Sequence, residues 1–161
     1  MLVKKLSRAF IVTTILFALG LVGLMAASAM SKRPETLGIT GGKLQSCGGL
    51  PNCVSSESIQ GTEQRNSMPP IPYDCSPPEA MNRLIRIVAA MPRAKVVSQT
   101  SNYLHAEFAS LVFRFTDDVE FRIDEADSVI RFRSASRIGI SDLGVNRARM
   151  EEMARKFARG E

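Results

Sequence analysis

Hydrophobic and polar positions divide the chain into three stretches of different rhythm. The first is continuous: Ala9 to Ser31 is a run of 23 residues without a charge. As a helix it spans roughly 34 Å, enough to cross a bilayer. It has no polar face to show water, unlike the amphipathic helices of soluble cores. The second stretch, 32–78, has no period. Pro34, Gly38, Gly41, Gly42, Gly48, Gly49 and Pro51 come first, then Gly61, Pro69, Pro70, Pro72, Pro77 and Pro78. That composition predicts a linker over 32–43 and an irregular wrap over 44–78.

The third stretch changes period twice. Ser76-Pro77-Pro78-Glu79 starts a helix, with Ser76 as cap, Pro77 in the first turn and Glu79 closing a capping box. Ala80, Leu84, Ile87, Val88 and Met91 follow helical spacing, and Pro92 ends the run. A period of two then takes over, weakly over 94–100 and clearly in Leu104, Ala106 and Phe108. Leu111, Phe113 and Phe115 continue it on the other parity, so Ala109-Ser110 marks a bulge or a break between two strands. Val119, Phe121 and Ile123 share a face with Ile130 and Phe132 across the polar turn Asp124-Glu125-Ala126-Asp127. Opposing Asp124 to Asp127 pairs Phe121 with Ile130 and Val119 with Phe132. On the other face it pairs Glu120 with Arg131 and Asp118 with Arg133. A last helix over about 145–158 carries Met150, Met153, Ala154 and Phe157 as its apolar stripe. Residues 79–159 thus read as an α+β domain: an antiparallel sheet of four or five strands covered by an N-terminal and a C-terminal helix.

Charge then places the chain. The formal charge is +5, but Lys4, Lys5 and Arg8 precede the apolar run and every acid follows it. Beyond residue 29 the balance is 18 basic against 16 acidic residues, so a nucleic-acid partner is not expected. The short basic head and Ala27-Ser28-Ala29 fit a signal peptide over 1–31, and the length of the run fits an uncleaved membrane anchor through residues 9–31. Lys32, Arg33 and Lys43 balance the basic head, so the positive-inside count is a tie. The head is the shorter part to leave behind, which puts the C-terminal domain outside the cytoplasm, in a cell envelope on the periplasmic side. Cys47 and Cys53 flank a Gly/Pro turn and are expected to pair there, with Cys53–Cys75 as the alternative. No P-loop, GxGxxG, HExxH or GxSxG occurs, and neither a metal nor a cofactor is expected.

Three strings resemble one family: Leu50-Pro-Asn-Cys-Val-Ser-Ser56, Phe113-Arg-Phe-Thr-Asp-Asp-Val-Glu-Phe121, and the segment from Arg133 through Gly139-Ile-Ser-Asp-Leu-Gly144 to Arg147. Together, over about residues 44–158, they are similar to the domain of unknown function 1499. The resemblance implies a small envelope or organelle-targeted protein and no particular activity. Where the family reads Cys-Pro-x-Ser-Pro-Asn-Cys, this chain reads Cys47-Gly-Gly-Leu-Pro-Asn-Cys53 with the spacing, and so the staple, retained.

Three functions fit the polar and apolar strings. Arg133, Ser134, Ser136, Arg137 and Arg147 run from a strand end to a helix start, where guanidinium forks and free N–H groups suit an anionic small molecule or a lipid head group. The same arginines can instead form structural ion pairs, Asp118 and Glu120 with Arg131 and Arg133, in a non-catalytic module that supports an envelope protein. A hydrolase would use Asp117, Asp118 and Glu120, with His105 as a base beside Tyr103 and Glu107. A carrier of an apolar or lipid ligand would line its cavity with Leu104, Phe108, Leu111, Phe113, Phe115, Phe121 and Phe132.

Overall fold

The computed structural model describes residues 2–57 and 64–161; Met1 and residues 58–63, with Gly61 of the Pro/Gly-rich stretch, lie outside the described residues. Helix α1 (Leu2–Ala29) is the apolar run, and its segment Phe10–Ser28 is long and apolar enough to cross a membrane. Two short strands follow, β1 (Cys53–Ser55) and β2 (Ile71–Pro72), then helix α2 (Pro77–Ala90). Strands β3 (Ala94–Gln99), β4 (Tyr103–Ala109), β5 (Thr116–Asp124) and β6 (Val129–Ser136) form an antiparallel meander, and helix α3 (Val145–Arg159) closes the chain. The α+β architecture is therefore as expected, with one addition. The aperiodic wrap supplies β1 and β2, both pairing with the outer edge of β6, so the sheet has six strands. Segments of three and two residues are too short to show a period of two, which hid them from the pattern.

Helices α2 and α3 cover one face of the sheet. Ala80, Leu84, Ile87 and Val88 of α2, and Met91 just after it, are buried, as their spacing predicts. They meet Met150, Met153 and Phe157 of α3, and Leu104, Phe121, Ile130 and Phe132 of the sheet. Ser76 is the cap residue of α2 but its hydroxyl makes no capping bond, so the capping box is not formed. Pro77 and Pro78 carry no N–H, which removes two of the donors a cap would satisfy.

The β5–β6 register differs from expectation by two residues. Asp124 pairs with Val129, Phe121 with Phe132, Ile123 with Ile130 and Glu120 with Arg133. The turn is four residues long, 125–128, and Ser128 adopts φ +52 within it. A slip of two keeps every side chain on its own face, so alternation cannot detect it. The ion pairs move with it: Arg133 reaches Glu120, and Arg131 reaches Asp124 and Asp127. The parity change at Ala109-Ser110 is a true break. Residues 110–115 form a loop, Leu111 and Val112 are exposed, and the rings of Phe113 and Phe115 meet at a tilt, 5.5 Å between centroids. Those residues do not line the sheet's inner face. Leu104, Phe108, Phe121 and Phe132 do, as packed core.

Candidate functional site on the polar face of the sheet

Period-two geometry turns alternate residues of three strands to the face opposite the helices. Pairing aligns Tyr103 with Arg122, His105 with Glu120, Glu107 with Asp118 and Glu120 with Arg133. Such a row of charges belongs in water, yet Glu120 is 0% exposed and Asp118 1%. The chain between α1 and β1 covers them. Arg33 donates to Glu107 Oε1 at 2.7 Å, and the Gly38 N–H donates to Glu120 Oε1 at 2.6 Å. Glu57 accepts from the Leu44 N–H at 3.1 Å and from Arg122 Nε at 2.6 Å. Gly38 holds φ +113, a region that L side chains rarely adopt. The stretch that reads as a linker is therefore a strap, fastened to the sheet by the acids it hides.

Every acid on this face has partners. Asp118 Oδ1 accepts from His105 Nε2 at 2.8 Å and from Arg137 Nη2 at 2.7 Å, while Oδ2 accepts from Arg137 Nε at 2.7 Å. Glu120 also accepts from the Tyr103 hydroxyl at 2.8 Å and from Arg133 Nη1 at 3.3 Å. The buried Nε of Arg133 finds no acceptor among the described residues. Burial works against the charge of Asp118, but the hydrogen bonds from Arg137 and His105 outweigh it and hold the carboxyl below its usual range. Glu107 is held low in the same way by Arg33 and Arg137. Burial first, and the Glu120 charge second, push the Tyr103 phenol well above its ordinary range. Arg137 is held more firmly protonated by Asp118 and Glu107.

The residues singled out in the sequence do not converge on one point. Arg133 and Arg137 serve the strap side, as above. Ser134 and Ser136 point to the helix side, where Ser134 donates to Asn146 Oδ1 and Ser136 to Asp117 Oδ1 at 2.6 Å. Asp117 is likewise on the helix side, apart from Asp118 and Glu120, and takes Arg149 Nη2 at 2.6 Å. Arg147 stands on α3 and donates to the carbonyls of Arg65 and Ser67. Asp142 caps α3 through the N–H groups of Gly144 and Asn146 at 3.0 and 2.7 Å. Cys47 and Cys53 are bonded and Cys75 is a free thiol. Among the described residues no group of three His, Cys, Asp or Glu side chains is placed to hold a metal.

Sequence reasoning did not single out Arg33, Gly38, Asn52, Glu57, Asn146 or Arg149 as parts of these networks. Asn146 is fully buried and joins the backbone of Asn52 to Ser136 at 3.0 and 3.1 Å. An Asn on the first turn of a helix announces a cap, not a buried bridge. For the strap there was no signal, since a backbone N–H is common to nearly all residues.

The family model described as protein of unknown function (DUF1499) matches residues 43–157. The chain belongs to this family. The match takes in the disulfide, β1, the whole meander and nearly all of α3, so the polar face lies inside the DUF1499 domain and only Arg33 and Gly38 of its cover lie before it. No curated protein matches the chain, and no solved structure matches it.

Proposed function

We propose that this DUF1499 protein is a non-catalytic binding or support module, held at a membrane by α1 with its C-terminal domain outside the cytoplasm. One observation carries the first part. Asp118 and Glu120, two of the acids that hydrolysis would use, are buried and closed off by partners in their own chain. A general acid or base needs hydrogen-bond reach to a reacting atom, and Asp118 and Glu120 spend theirs on Arg137, His105, Tyr103, Arg133 and Gly38. Asp117 is turned to the other face. The network's work is to fasten the strap and so to set the domain at a short, fixed distance from α1.

The Cys47–Cys53 disulfide supports placement in an oxidising compartment of the cell envelope. An anionic small molecule or lipid head group has its best place beside Arg147. There Arg65, Arg147 and Ser141 line a cleft of about 250 Å³ at the start of α3, together with Asp142, whose carboxylate accepts from the N–H groups of Gly144 and Asn146. The test uses the full chain. Asp118→Asn is expected to lower the melting temperature and to speed tryptic cleavage at Lys43, with no ester or phosphate turnover to lose. Turnover by the unmodified protein that vanishes in Asp118→Asn at an unchanged melting temperature overturns the reading. A reporter enzyme fused after Glu161 that works only in the cytosol overturns the placement.

A second reading rests on a groove of about 670 Å³ between α3 and residues 68–72, lined by Met68, Ile71, Phe132, Ala154 and Ala158, with Arg147, Arg155 and Glu151 as its charged residues. An apolar chain with an acidic head suits that lining. Native mass spectrometry of protein extracted from membranes separates the two: co-purified lipid supports the carrier, and its absence supports the scaffold.

A further inference from the structure

Beyond α1 and the neighbouring Met30, the large apolar side chains exposed among the described residues are Leu50, Leu111, Val112, Ile140, Leu143 and Val145. They come from three distant parts of the chain, and strand pairing brings them to one end of the domain. The register Ala109↔Thr116, Asp117↔Ser136 and Cys53↔Ala135 puts the end of β4, the start of β5, the end of β6 and the start of β1 side by side. Loop 110–115, loop 137–144 and the disulfide loop 47–53 all project from that end. The opposite end, with the turns 100–102 and 125–128, exposes no large apolar side chain.

These loops are built, not loose. The Ser110 N–H donates to the Phe115 carbonyl at 2.8 Å and the Phe115 N–H to Ser110 Oγ at 2.9 Å, closing the Leu111 loop. Asp142 and Ser141 tie down the other. At its tip Leu143 is 94% exposed and holds φ +56, and Arg114 holds φ +58 on the Leu111 loop. A branched apolar residue in the left-handed region, pointing into water, is unfavourable twice over and points to a role for the loop.

The strap shows what lies against this end. Arg33 follows the last residue of α1 by four positions, a reach of roughly 14 Å at most, and it is ion-paired to Glu107, two residues from the end of β4. The last residue of the helix therefore lies within roughly 14 Å of a residue bonded to the part of β4 that leads into the Leu111 loop. Beside the Leu111 loop, Arg93, Lys95 and Arg114 line a depression of about 340 Å³ whose one acid, Glu107, is committed to Arg33 and Arg137. Arg93 also donates to the Ala109 carbonyl at 3.0 Å, and none of the three basic groups has an acidic partner of its own among the described residues. Apolar tips beside such basic groups suit the interface of a bilayer with anionic head groups.

We infer that this end of the domain is a second membrane contact. Leu111, Val112, Ile140 and Leu143 enter the interface of the bilayer that α1 spans, and Arg93, Lys95 and Arg114 meet its head groups. The inference rests on the reading of α1 as an anchor. The chain has no Trp, so single tryptophans report position cleanly. Four full-length variants, Phe17→Trp in α1, Leu111→Trp, Leu143→Trp, and Ser101→Trp at the far end, are reconstituted in phosphatidylcholine/phosphatidylglycerol vesicles with and without brominated acyl chains. Bromine is expected to remove most of the emission from the first three and to leave Ser101→Trp unchanged. If Phe17→Trp is quenched while Leu111→Trp and Leu143→Trp match Ser101→Trp, the anchor stands and the second contact is wrong. Blue-shifted but unquenched emission at Leu111→Trp and Leu143→Trp means that protein covers the tips, and also overturns it. Unquenched Phe17→Trp removes the anchor, and this inference with it.

Discussion

The two faces of the sheet are both buried, by opposite means. On the helix side, Leu104, Phe121, Ile130 and Phe132 meet Leu84, Met150 and Met153, and burial of apolar surface supplies the stability. On the strap side, Glu107 and Glu120 bond to the covering segment, and burial of Asp118, Arg133 and Arg137 is tolerated because donors and acceptors match except at Arg133 Nε. The first contact needs only apolar residues of about the right size. The second needs particular atoms at particular places. An apolar core is a poor place for a docking segment that must take one defined position. A charged, nearly saturated face specifies that position.

Breaking the helix side has the largest effect. Phe121 is fully buried, and Phe121→Ala is expected to cost about 4 kcal/mol, read as a lowered denaturation midpoint that takes strap and sheet together. Breaking the strap side comes next. Asp118→Ala leaves Arg137 and His105 facing each other without their acid and is expected to cost about 3 kcal/mol, with faster trypsin cleavage at Lys43. Unlike Phe121→Ala, it releases the strap under conditions where the helix side stays folded, which amide exchange resolves residue by residue. The two sides also differ in pH response. Asp118 and Glu107 titrate low in the folded protein, so their contribution is complete above the usual carboxylate range near pH 4 and is lost as pH falls through the folded values. Protection of the strap amides is expected to fail in acid before protection of the β4–β5 ladder does.

Reduction of Cys47–Cys53 has a smaller effect. The closed loop is short, so about 2 kcal/mol is expected, measured as the shift in midpoint with and without reductant. Without reductant one thiol, Cys75, is alkylated in the unfolded chain, and with reductant three are. Arg33→Ala is the mildest. Half of that side chain is exposed, and an exposed pair contributes under about 1 kcal/mol, so global stability barely moves. Its effect is on the first part of the strap, as increased trypsin cleavage at Lys32.

Much of the architecture was legible along the chain. The apolar run, α2 from its stripe, the alternation of β4 to β6 and the stripe of α3 all lie where the periods put them, and the break at Ala109-Ser110 is real. The disulfide joins the two cysteines that flank a Gly/Pro turn. These features are local: each depends on which residues recur at 2.0 or 3.6 positions, and the amino-acid order alone sets that. Tertiary structure decided the rest. It chose the β5–β6 register, because a shift of two leaves the alternation intact. It sent Arg133 and Arg137 to one side and Ser134 and Ser136 to the other, so neighbours in a motif became strangers in space. It laid the chain between α1 and β1 over the acids, through the Arg33 side chain and through the Gly38 N–H, which no side-chain pattern records. It also gathered Leu50, Leu111, Ile140 and Leu143 at one end, since only strand pairing brings positions so far apart in the chain within reach of one surface.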